Sequence, residues 1–92
     1  MIMKITNHAN NRGKKRLGFK GKALEKKCEL ALLNGLKQSD AKGSLKRFLD
    51  GLYLKHRNAN GIRVYEEYCY LFRGSTLLTI IHLPNQYKKY LT

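Results

Sequence analysis

The last third of this chain alternates, and that alternation constrains the fold more than any other feature. Ile62–Tyr65, Tyr68–Phe72 and Thr76–Leu83 each carry side chains with a period of two, separated by Glu66-Glu67 and Gly74-Ser75. Two-residue connections of this kind join antiparallel strands, so the segment predicts a three-stranded meander. With Glu66-Glu67 as the first turn, Val64 pairs with Cys69 and Ile62 with Leu71. With Gly74-Ser75 as the second, Leu71 pairs with Leu78 and Cys69 with Ile80. One face then holds Ile62, Val64, Cys69, Leu71, Leu78, Ile80 and, near the edge, His82. The other holds Arg63, Tyr65, Tyr68, Tyr70, Phe72, Leu77, Thr79 and Ile81. A slip of one residue would exchange the two faces of a strand.

Upstream, the period is helical. Met1–Ile5 is a short apolar start, read as an edge strand. Thr6 or Asn7 offers an N-cap for a helix to about Leu17, although Asn10, Asn11 and Gly13 make it a poor helix former. Its order must come from packing or from a ligand. A second helix runs from Lys20 or Lys22 to Asn34, with Leu24, Cys28, Ala31 and Leu32 on one stripe and Gly35 as its stop. Gln38-Ser39-Asp40 marks a loop. The third helix, Ser44 to Arg57, carries Leu45, Phe48, Leu49, Leu52, Tyr53 and His56 at amphipathic spacing. Pro84 ends the last strand, and Tyr87–Tyr90 is a basic-aromatic tail. Together these elements predict one α+β domain over residues 1–92: a short N-terminal strand, three helices, then the meander with the helices on one of its faces.

The 92 residues carry 19 Lys and Arg against six Asp and Glu, a net charge of +13. Self-repulsion of that size opposes compaction, and its usual counterpart is a polyanion. The excess is uneven, because residues 1–27 hold nine basic side chains and one acid. A nucleic-acid partner is therefore expected, RNA in preference to DNA. The predicted surface runs from Arg12, Lys14, Lys15 and Arg16 over Lys20 and Lys22 toward the sheet edge. No apolar run approaches the roughly 20 residues of a membrane span, and no secretory leader pattern is read, so the expected setting is the cytoplasm without a membrane partner. Cys28 and Cys69 are too few for a disulfide framework. With three dispersed histidines they form no ligand set, so neither metal nor cofactor is expected.

One constellation points to chemistry. His8, Arg12 and Arg16 stand at i, i+4 and i+8, which places an imidazole and two guanidiniums along one face of the first helix. An imidazole can accept a proton from a 2′-hydroxyl, and arginines bind phosphate and offset the charge that builds up on it. That set is the minimum for metal-free RNA cleavage; it is equally a helix cap beside a phosphate-binding face. A second candidate is the aromatic sheet face, where Tyr65, Tyr68, Tyr70 and Phe72 beside Arg63 could stack unpaired bases or, if uncovered, form a homodimer interface. His56-Arg57 and His82 close a helix and a strand, where structural roles suffice.

The short strand, a helix opening Asn7-His8-Ala9-x2-Arg12 and ending Lys15-Arg16-Leu17-Gly18, further helices and the closing Leu78–Pro84 strand together resemble the barnase–colicin–RelE group. Its best-known members are RelE-type toxins that cleave messenger RNA. The resemblance implies a RelE-like fold, a bacterial or phage source and an acidic antidote as a partner. It also implies that basic and aromatic side chains on the sheet hold RNA, and by type these would be Arg63, Tyr65, Tyr70 and Arg73. The third helix is longer than many such toxins need. Three functions thus stand side by side: an RNA-binding protein, a metal-independent toxin-type ribonuclease, and a phage-encoded inhibitor of a host nucleoprotein enzyme. Whether the chain is an enzyme is left open by its sequence.

Overall fold

The computed structural model describes residues 4–91. The strands are β1 (Lys4–Ile5), β2 (Leu36–Lys37), β3 (Gly61–Tyr65), β4 (Tyr68–Arg73) and β5 (Thr76–His82). The helices are α1 (Asn7–Arg16), α2 (Gly21–Asn34) and α3 (Gly43–Lys55), with 3-10 segments at Gln38–Asp40 and Asn85–Leu91. All five strands form one mixed sheet in the order β1-β5-β4-β3-β2. β1 is parallel to β5, pairing Lys4 with Thr76 and Ile5 with Leu77. Positions 1–3 of the expected first strand lie outside the described residues. β2 went unforeseen; its two residues pair with Val64 and Arg63 and are too few to show a period.

The β3–β4 register is the expected one, with Val64 opposite Cys69 and Ile62 opposite Leu71 across Glu66-Glu67. Glu66 takes φ 52, in the left-handed region, where a side chain costs about 1–2 kcal/mol. Lys27 Nζ holds its carboxylate at 2.6 Å. The β4–β5 register departs from expectation. Gly74, at φ 61, makes the expected turn, but Phe72 pairs with Leu77 while Leu71 pairs with Thr79. Leu78 is thus an extra residue, a bulge, and every later residue of β5 changes face. Ile80 joins Tyr70 and Phe72, and His82 leaves the core to meet Tyr68 edge-on at 5.2 Å.

The sheet is covered on both faces, not on one. α3 places Leu45, Leu49 and Leu52 against Ile62, Val64, Cys69 and Leu71. The Asn85–Leu91 segment packs beside it, with Tyr87 stacked on Phe48 at 4.7 Å, so the tail is part of the core rather than a free arm. α1 and α2 cover the opposite face, where Ala9, Leu24, Cys28 and Ala31 bury Tyr70, Phe72, Leu77 and Ile80. The aromatic face that could have stacked bases or joined a second copy, if open, is therefore a second core, available to neither. Tyr53 of the α3 stripe stays exposed, as does its neighbour Leu54.

Small residues set how α1 lies. Ala9 and Gly13 are its buried positions, and a Cβ at Gly13 would stand 2.7 Å from both δ carbons of Leu24. Glycine there costs helix propensity but lets α1 settle onto α2. Packing supplies the order that the sequence of α1 lacks.

Candidate nucleic-acid interface

β1 covers only the first two residues of β5, and α1 borders the edge beyond them. Backbone groups on that edge must find partners other than a strand. Thr6 supplies one. As the N-cap of α1 it accepts from Ala9 N at 3.1 Å, and its hydroxyl donates to Leu78 O at 3.1 Å. Arg16 supplies another, its Nη1 donating to Ile80 O at 2.8 Å, while Tyr68 OH donates to Arg16 O at 2.8 Å. Two of the side chains that seal the edge thus also fix the rotation of α1.

That rotation turns His8, Arg12 and Arg16 into a groove. His8 is exposed, its Nε2 lying 3.1 Å from Thr79 Oγ1, and Arg12 Nε donates to the same nitrogen at 3.4 Å. An arginine Nε can only donate, so the Nε2 it meets is an acceptor. The facing wall comes from the C-terminal end of α3. Lys55, His56 and Arg57 stand there with Leu54 and Asn58, opposite His8, Leu78 and Thr79, around a cavity of about 690 Å³. A neighbouring hollow of about 280 Å³ adds Arg12, Arg16 and Ile81 to the same His8, Lys55, His56 and Thr79. Buried Ala59 anchors the turn that follows, with Ala59 N donating to His56 O at 2.9 Å and Asn60 N to Phe72 O at 2.9 Å.

The groove is strongly positive. Arg12, Arg16, Lys55 and Arg57 have no ion pair among the described residues, whereas Lys27, Lys46 and Lys88 are paired with Glu66, Asp50 and Glu67. Four cations and two imidazoles on two facing walls focus potential into the space between them.

The remaining expected site residues scatter. Lys14 and Lys15 are exposed on the last turn of α1, and Lys20 and Lys22 are exposed at the start of α2, outside the lining of the groove. Arg73 lies close by, donating through Nη1 to Asn58 O at 3.3 Å. Arg63 does not join. It is half-buried on β3, two strands from β5, and donates to Leu32 O at 3.4 Å and Ile62 O at 3.3 Å. Tyr65 is half-buried edge-on to Tyr70 beneath Lys27 Nζ, 5.6 Å from its ring centre. Tyr70 is fully buried, its hydroxyl has no partner, and burial drives that hydroxyl's pKa upward. A ring sealed between a sheet and two helices cannot stack on RNA, so Tyr70 is a core residue and not the binding residue its type suggests. What the sequence reading missed is the α3 wall, His56 above all. The Lys55-His56-Arg57 cluster was visible, but its nearness to His8 depends on the path of the chain.

The cysteines take no part. Cys28 and Cys69 lie in the two opposite cores, and burial pushes both thiols up to about 12, the Glu25 charge adding to the effect at Cys28. Among the described residues no three His, Cys, Asp or Glu side chains group as metal ligands, and no helix is long and apolar enough to cross a membrane. Comparison with protein-family models, with curated proteins and with solved structures finds no match to this chain.

Proposed function

We propose that this chain binds RNA, and that the groove between α1 and the end of α3 receives the phosphate backbone. The observation that carries the reading is the convergence of Arg12, Arg16, Lys55 and Arg57 on two adjoining hollows of one groove without acidic partners. Guanidiniums pair with phosphate bidentately, and the exposed Lys14, Lys15, Lys20 and Lys22 extend the track. Leu54 and Leu78 give the wider end of the cavity an apolar side on which an unstacked base can lie, which suits single-stranded RNA better than a duplex.

A second reading makes the same groove a metal-independent ribonuclease of the RelE type. It is favoured by His8 Nε2, an acceptor nitrogen held by Arg12 on the groove wall, as a base for the 2′-hydroxyl.

Fluorescence anisotropy with a labelled single-stranded RNA, run across a salt series, tests the binding. Affinity should fall steeply with salt, by about 0.7 log units per log unit of salt for each phosphate engaged. Arg12→Ala and Arg57→Ala should each weaken binding and flatten that slope by about 0.7. A complex indifferent to salt, or to both substitutions, would remove the groove as the binding site.

A further inference from the structure

We propose that His56 is a second proton-transfer group of this groove, acting opposite His8 in the metal-independent cleavage of single-stranded RNA. The inference rests on the ribonuclease reading above and names the residue that reading lacks. Base and acid are both needed for the transfer, because the attacking 2′-hydroxyl must lose a proton and the departing 5′-oxygen must gain one.

His8 and His56 are 48 positions apart in sequence, yet they line both the larger cavity and the hollow beside it. They arrive from opposite helix ends. His8 stands in the first turn of α1, and its Nε2 faces Arg12 Nε and Thr79 Oγ1 as an acceptor. His56 is the C-cap residue of α3, where the chain leaves helical geometry at φ −114 and ψ 66. The last carbonyls of a helix carry partial negative charge, so that end stabilises a cation. One imidazole is thus set to take a proton, and the other sits where a proton to be given away is supported. His56 is also held rather than hanging, since its N donates to Leu52 O at 2.8 Å and its O accepts from buried Ala59.

The step balances without metal or co-reactant. His8 Nε2 removes the 2′-hydroxyl proton, the O2′–P bond forms, the P–O5′ bond breaks, and His56 gives its proton to O5′. The products are a 2′,3′-cyclic phosphate and a 5′-hydroxyl. Arg12 and Lys55, on the same walls, offset the charge on the five-coordinate phosphorus. Exchange with solvent returns the proton to His56 and removes it from His8.

The deciding experiment compares wild type, His8→Ala, His56→Ala and His56→Asn on two RNA substrates in chelator. In one the scissile 5′-oxygen is natural, and in the other it is replaced by sulfur, a leaving group that needs no proton. On the oxygen substrate each variant should lose about 100-fold or more in rate. On the sulfur substrate both His56 variants should return to within about ten-fold of wild type while His8→Ala stays slow, because only loss of the acid is bypassed. Thermal melts confirm folding, and His56→Asn decides if the alanine variant does not fold. If wild type forms no cyclic phosphate from either substrate, the ribonuclease reading falls and this proposal with it. If wild type cleaves and the His56 variants match it on oxygen, His56 is only a helix cap. If they stay slow on both substrates, His56 positions another group and is not the acid.

Discussion

α1 and α3 form the two walls of one groove, and they are held in place by opposite means. α3 buries Leu45, Leu49 and Leu52, each contributing about 1.5–3 kcal/mol through burial. α1 buries only Ala9 and Gly13. It is fixed instead by directional contacts: the Thr6 cap, the Arg16 bond to Ile80 O and the Tyr68 bond to Arg16 O. A helix seated by apolar area must give a whole stripe to the core. A helix seated by small residues and terminal hydrogen bonds keeps most of its circumference polar. α1 can therefore carry His8, Arg12, Lys14, Lys15 and Arg16 within ten residues, where α3 offers the groove only its end.

If that division is right, the largest stability loss belongs to the α3 side. Leu49→Ala should cost about 2–5 kcal/mol in denaturant unfolding, with RNA affinity of the folded fraction unchanged. A cost below about 1 kcal/mol would mean that α3 is not the helix seated by burial. Gly13→Ala probes the other wall. Overpacking against Leu24 costs about 1–3 kcal/mol and better helix propensity returns about 1, so the net should be a loss of about 1 kcal/mol. In a Leu24→Ala background the same change should become neutral or favourable, a coupling that a double-mutant cycle reads directly. A gain from Gly13→Ala in the wild-type chain would show that close approach does not seat α1. The smallest effect has the opposite sign. Tyr70→Phe removes a buried hydroxyl without a partner and should raise stability by about 1 kcal/mol. RNA affinity should not move; a drop would return the aromatic face to the binding surface.

The sequence reading succeeded where local rules decide and failed where a single residue or a distant neighbour does. Glu66-Glu67 set its hairpin register because a two-residue connection fixes the pairing of the strands it joins. The Leu78 bulge escaped because Leu77, Leu78, Ile80 and Ile81 put apolar side chains on both parities of β5, so neither register was penalised. The two-sided core was legible in principle. Tyr68–Phe72 is apolar or aromatic at every position, the mark of a strand covered on both faces rather than one. His8, Arg12 and Arg16 could be grouped because helical spacing is local. His56 could not, since only the packing of α3 across the sheet brings it to the same space.

The seat of α1 is built by the far end of the chain. Thr6, His8 and Arg16 reach partners 72, 71 and 64 positions later. On a ribosome, residues 4–16 would emerge as a basic thread with no edge to rest on until β5 follows. The groove is thus among the last features to form during synthesis, and a nascent chain lacks it. A fragment stopped short of Thr76 would keep the positive charge of residues 4–16 and lack the groove that gives it a shape.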